Sequence, residues 1–141
     1  MILYAESSAV LAWLLGEPAG ERVRRALIEA DMVMSSDLTL VECDRAIERG
    51  VAVGAIEQPV SARLKSRFES AAANWNVLRI LPQIIARACE PFPGEPIRTL
   101  DAIHVASALH VRATLPRIAL LALDNHIRKV GSGLGFPLLP A

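Results

Sequence analysis

Lysine is scarce in this chain of 141 residues, where Lys65 and Lys129 stand against thirteen arginines. Net charge is absent as well, because fifteen basic residues offset fifteen acidic ones. That balance excludes a nucleic-acid binder held by bulk positive charge and leaves only local patches. Aromatic residues make up 4%, too few for an extended surface on which single-stranded bases stack. Cys43 and Cys89 form no C-x-x-C pair and cannot make a disulfide framework, so both are expected as reduced core residues. No apolar run approaches the ~18 to 20 residues that span a bilayer, and Glu6 breaks the first apolar segment before it could serve as a signal sequence. The expectation is a soluble cytoplasmic protein with no membrane contact.

Apolar residues, by contrast, are plentiful. They account for 52% of the chain against 21% charged, which is core-forming composition without a disorder signature. The length fits one domain, residues 1–141. The arginine excess suits planar, two-pronged contacts to phosphate or to a partner's carboxylates, and genomic base composition explains it equally well.

Along the chain, short apolar runs alternate with segments of helical period. Ile2 to Tyr4 reads as a strand, followed by a helix carrying Ala9, Val10, Leu11, Trp13, Leu14 and Leu15. Val23, Ala26, Leu27 and Ala30 mark one face of a second helix, and Met32 to Met34 a second strand. Ser35, Ser36 and Asp37 offer N-caps for a helix carrying Leu38, Val41, Ala46 and Ile47, which Gly50 is expected to end. Further on, the pattern predicts a helix over Ser61 to Trp75 with Leu64 and Phe68 inward, a strand over Val77 to Ile80, and a short helix from Pro82 through Cys89. Pro91 to Pro96 can only be a loop. A helix follows from Thr99 with Leu100, Ile103, Ala106 and Leu109 at period 3 to 4. Strands over Ile118 to Leu123 and Phe136 to Leu139 flank a helix through Ile127 and Val130. This alternation predicts an α/β protein, a three-layer α/β/α sandwich with a mostly parallel central sheet, and places any ligand beyond the carboxyl ends of the strands.

Four acids sit in apolar surroundings at such places: Glu6 after the first strand, Glu42 within a mostly apolar helix segment, Asp101 between Leu100 and Ala102, and Asp124 after the last long apolar strand. A carboxylate in such a setting needs a partner, a proton or a cation. Converging on one crevice, the four would repel unless a divalent ion compensated, and carboxylates that hold one or two Mg²⁺ or Mn²⁺ ions are a standard device for phosphodiester hydrolysis. Each acid also has an ordinary account. Glu42 can pair with Arg45 on a solvated helix face, Asp101 can complement a helix dipole, and Asp124 can cap a helix. Glu6 has no such duty in sight, because Glu is a poor cap. Ser8 stands where a hydroxyl could bond a carboxylate or simply start a helix. His104 is assigned no ligand role, since a lone helical His is more often a packing residue and Mg²⁺ prefers oxygen. Arg98 is a candidate phosphate contact, Asn125 a cap or a water-orienting amide, and Trp13 and Trp75 core or interface residues.

Four segments, LYAESSAVLAWLLGEP, SSDLTLVECDRAI, RTLDAIHVASAL and LLALDNHIRKVGSGLGFPLL, resemble in order and spacing a PIN-domain ribonuclease of the VapC type, the toxin of prokaryotic toxin–antitoxin pairs. The resemblance implies a metal-dependent endoribonuclease in which Glu6, Glu42, Asp101 and Asp124 hold Mg²⁺ or Mn²⁺ and carry catalysis, with Ser8 in support. It implies cleavage to 5′-phosphate and 3′-hydroxyl ends, RNA as substrate, a homodimer, and a cognate VapB-type antitoxin wrapped on the early helices. Trp13, Leu14 and Leu15 are consistent with such a partner groove and equally with core packing. Position 6 departs from the family's Asp by one methylene, roughly 1.5 Å of reach. A second reading therefore keeps the fold and drops catalysis, leaving a module that acts mainly by binding an antitoxin. A third, a phosphotransfer domain, lacks the nucleophilic Asp that it needs after the first strand.

Overall fold

The computed structural model describes all residues, 1–141. Five strands, β1 (Ile2–Ala5), β2 (Met32–Ser36), β3 (Asn76–Leu78), β4 (Ala119–Leu121) and β5 (Leu138–Leu139), form one sheet in the order β3-β2-β1-β4-β5. Every pairing is parallel, with Leu3 opposite both Val33 and Ala119. Seven helices connect them: α1 (Ser7–Leu14), α2 (Gly20–Glu29), α3 (Asp37–Ala52), α4 (Gln58–Ala72), α5 (Pro82–Ala88), α6 (Thr99–Arg112) and α7 (Asn125–Gly133).

The sheet divides two cores because successive strand residues point to opposite faces. Leu3 and Ala5 of β1, with Ala119 and Leu121 of β4, pack against Val10, Val23, Cys43 and Phe68 from α1 to α4. Tyr4 and Leu120, their neighbours in sequence, face Ile84, Val105, Ala106, Ile127 and Val130 from α5 to α7. This is the expected α/β/α sandwich. Each fully buried aliphatic side chain contributes about 1.5 to 3 kcal/mol. No helix of the chain is long and apolar enough to cross a membrane.

Several boundaries differ from the sequence reading for local reasons. Helix α3 does not stop at Gly50 but runs to Ala52, and the chain turns at Gly54, whose φ of +76° suits glycine. Gly50 is required inside the helix for another reason: a Cβ there would lie 2.4 Å from Ile56 Cδ1, so the loop packs onto the bare backbone. Helix α4 starts three residues early, with Pro59 in its first turn, and ends at Ala72. The strands β3, β4 and β5 are shorter than their apolar runs because pairing stops where the neighbour turns away, while Ile118 and Ala122 remain buried just outside β4. Cys89 is exposed rather than in the core, and only Cys43 is buried. Leu100 is 47% exposed, because α6 turns a different face inward.

Candidate active site

Glu6 and Asp124 stand beyond the carboxyl ends of β1 and β4, while α3 and α6 carry Glu42 and Asp101. Glu6 is the first residue after β1 and is the N-cap of α1, its carboxylate accepting from Ser8 N at 3.0 Å. The sequence reading gave Glu6 no structural duty. That was wrong, because its longer arm folds back onto the first turn, where Ser7 Oγ donates to Oε1 at 2.8 Å and Ser8 Oγ donates to Oε2. Both oxygens of this buried carboxylate are thereby engaged, and burial pushes its pKa up despite the His104, Ser8 and Ser7 contacts that oppose the rise.

Glu42 reaches the same place from α3. It does not pair with Arg45; its Oε1 accepts from His104 Nε2 at 2.5 Å and lies 3.1 Å from Ser7 Oγ. Burial pushes the Glu42 carboxyl up, but the His104 hydrogen bond and charge, helped by Ser7, outweigh it and hold Glu42 below the usual range. The single Ser7 proton can serve Glu6 or Glu42 but not both at once. His104 Nε2 is 3.6 Å from Glu6 Oε1, while Nδ1 lies 3.2 Å from Tyr4 Oη. Tyr4 is fully buried, which keeps its phenol protonated, and its hydroxyl and the Glu42 carboxylate engage the two ring nitrogens of His104 from opposite sides.

The other two acids form a second pair. Asp124 caps α7, its Oδ1 accepting from His126 N at 2.9 Å and Ile127 N at 3.0 Å. Its Oδ2 accepts from Arg98 Nη2 at 3.2 Å, and Arg98 Nε donates to Asp101 Oδ2 at 2.9 Å. The bond to Asp101, before any other cause, pushes the Arg98 pKa further up. Ser8 joins the two pairs, since its hydroxyl donates to Glu6 while accepting from Leu123 N at 2.9 Å and Asp124 N at 3.0 Å. Glu42 and Asp101 share a hollow of about 270 Å³ with Arg98, Thr99 and Leu100.

All four acids and Ser8 thus lie at one end of the sheet, as two linked pairs. Sequence reasoning overlooked Ser7 and discounted His104, which with Glu6 and Glu42 forms a group whose donor atoms lie within 4.8 Å of one another. The signal was present. His104 follows Asp101 by three residues, which puts both on one helix face, and a histidine among Ile103, Val105 and Ala106 needs polar partners. Arg98, expected at a phosphate, is bonded to two of the acids. Asn125 begins α7 behind the capping Asp124, and Trp13 and Trp75 are half-buried beside an apolar hollow.

Comparison with known proteins agrees with this architecture. The PIN domain family matches residues 3–133. Ribonuclease VapC46 of Mycobacterium tuberculosis is 31% identical over 97% of this chain and 95% of its own length. VapC20 of the same organism, a sarcin-ricin loop cleaving toxin, superposes with a TM-score of 0.66 at 16% identity, covering 95% of each chain. A toxin–antitoxin complex from Klebsiella pneumoniae gives 0.66 at 18% identity over 100% of this chain and 98% of that one. At such identities the solved structures speak to the fold.

Proposed function

The chain belongs to the PIN domain family, among the ribonucleases of the VapC type, and from that premise we propose that it is a metal-dependent endoribonuclease, the toxin of a VapBC-type toxin–antitoxin pair. The observation that carries the reading is the gathering of Glu6, Glu42, Asp101 and Asp124 at one end of the sheet, where the Arg98 guanidinium and the His104 imidazole are their only nitrogen side-chain partners. Four carboxylates against one guanidinium and one imidazole leave negative charge that a hard divalent cation would neutralise, and the oxygen-rich donor set fits Mg²⁺ or Mn²⁺. The four acids would hold it. When bound, such an ion supplies charge stabilisation for the scissile phosphate and a nucleophilic water at neutral pH.

The chain's own residues do the rest. Glu42 Oε2 and Asp101 Oδ1 have no protein partner, and both side chains line the open hollow; either can accept a proton from the attacking water. Ser7 and Ser8 fix the Glu6 carboxylate, and Tyr4 fixes the imidazole that orients Glu42. The products carry 5′-phosphate and 3′-hydroxyl ends. Since net charge is zero, RNA is held by local arginines and the bound ion. The reading includes cytoplasmic action, a homodimer and a VapB-type antitoxin. An apolar hollow of about 310 Å³ lined by Trp13, Leu27, Ile28, Met32 and Trp75, with Ile28 65% exposed, supports the antitoxin as an apolar segment seated on the early helices.

The test is cleavage of total RNA by antitoxin-free protein in Mg²⁺, Mn²⁺ or EDTA, with Asp101→Asn alongside. Cleavage should need the ion and fall by about 100-fold or more in the variant. Cleavage that survives EDTA, or an Asp101→Asn protein as active as wild type, would refute the assignment.

A further inference from the structure

The two nitrogen side chains that face the acids differ in whether they can leave. His104 is 1% exposed and wedged between Tyr4, Ser7 and Glu42. Arg98 is the opposite, with a side chain 70% exposed. Its backbone is held: the Glu95 carboxylate accepts from Phe92 N at 3.1 Å and Ile97 N at 2.8 Å, bracing the loop just before α6. Its guanidinium makes no side-chain contact other than the bridge, with Nε on Asp101 Oδ2 and Nη2 on Asp124 Oδ2. A fixed root and a long, solvated arm make the bridge easy to open without disturbing the fold.

The bridge also occupies the oxygens that a cation would use. A guanidinium remains charged at every accessible pH, so it neutralises Asp101 and Asp124 continuously. An ion drawn to the same two carboxylates competes with Arg98 for the lone pairs of their Oδ2 atoms and, being cationic itself, repels the guanidinium.

We propose that Arg98 is an internal counter-ion, bridging Asp101 and Asp124 in the metal-free protein and exchanged for a divalent cation on binding, so that it sets the affinity of the site for that ion. The proposal rests on the reading that these acids hold a metal. Removing the arginine leaves the two carboxylates to repel each other until an ion arrives, and the ion then displaces nothing. Two solvated ion-pair contacts of ordinary strength correspond to about 3- to 10-fold in affinity.

The experiment is Mn²⁺ titration of antitoxin-free wild type, Arg98→Gln and Arg98→Lys, following free Mn²⁺ by electron paramagnetic resonance, with thermal melts in EDTA and in saturating Mn²⁺. Arg98→Gln should bind Mn²⁺ about 3- to 10-fold more tightly. Arg98→Lys, which keeps a charge but loses the two-pronged geometry, should fall between. The Mn²⁺-induced rise in melting temperature should be larger in Arg98→Gln than in wild type. Equal or weaker Mn²⁺ binding by both variants, with circular dichroism unchanged, would overturn the proposal while leaving the metal reading intact. Failure of all three proteins to take up Mn²⁺ would overturn both.

Discussion

Replacing His104 by Ala should destabilise the metal-free protein severely, and a divalent ion should return part of the loss. The imidazole is buried, donates from Nε2 to Glu42 Oε1 at 2.5 Å and faces Glu6 Oε1 at 3.6 Å. Truncation removes the group that separates two carboxylates in a low-dielectric pocket. Leaving a buried acceptor without its donor costs about 1 to 3 kcal/mol, more where the acceptor is charged, so the loss of the imidazole from two carboxylates should cost roughly 3 kcal/mol. Tyr4 keeps Ser36 and Ser107 as hydrogen-bonding neighbours, so the loss falls mainly on the acids. For a chain of this size that corresponds to a fall in Tm of about 10 °C. The assay is urea unfolding in EDTA and in Mg²⁺. Tyr4→Phe alone should cost about 1 kcal/mol, and the double variant should cost less than the sum by about 0.5 to 1 kcal/mol, because hydroxyl and imidazole act as one unit. A loss below about 1 kcal/mol for His104→Ala, or a deficit that Mg²⁺ leaves unchanged, would refute the view of His104 as the group that holds the Glu6–Glu42 pair together.

Two further outcomes are expected. Burial raises the Glu6 pKa above its ordinary value of about 4.3, so its contribution to stability is complete below that pH and is lost as pH rises through the folded value. In EDTA, the Tm of Glu6→Gln relative to wild type should therefore climb as pH is raised from 4 toward 8, and Mg²⁺ should flatten the trend; a pH-independent difference would contradict it. Trp13→Glu puts a charge beside the apolar hollow of Leu27, Ile28 and Trp75, and should reduce co-purification of the antitoxin by about 10-fold or more with circular dichroism unchanged. An undiminished complex would remove Trp13 from the partner surface.

The sandwich was legible because its signals are strong and local. The short apolar strands could be read with their connecting helices, and alternation of β and α segments dictates a parallel sheet. That the four acids meet at one end of the sheet was legible; the residues that support them were not. Helix α6 shows why: its inward residues are Asp101, His104, Val105, Ala108 and Val111, spaced 3 and 4 apart, with Ala102 and Ala106 beside them. Asp101 and His104 on that face, and Ser107, which is buried as well, are polar, so hydrophobic periodicity selects Leu100, Ile103, Ala106 and Leu109 instead, and Leu100 proves exposed. The pattern fails where function replaces apolar core with chemistry. Gly50 shows the same limit without function, since nothing in its neighbours announces that Ile56 will pack upon it.

Structural and chemical accounts of these acids are not rivals, because a carboxylate has two oxygens. Asp124 gives Oδ1 to the first turn of α7 and keeps Oδ2 for a cation, which is Arg98 in this structure. Asp101 holds the same guanidinium with Oδ2 and leaves Oδ1 free. Glu42 spends Oε1 on His104 and Ser7 and leaves Oε2 free. Glu6, unlike the other three, commits both oxygens to its own helix start, to Ser7 on one side and to the amide and hydroxyl of Ser8 on the other. A shorter Asp at this position would have less reach to satisfy Ser7 and Ser8 together. The extra methylene thus makes the first acid a brace that holds α1 against the ends of β1 and β4, and under the proposed metal reading the cation would fall mainly to Glu42, Asp101 and Asp124. Substituting Glu6 by Asp should accordingly alter metal affinity less than substituting any of those three by its amide.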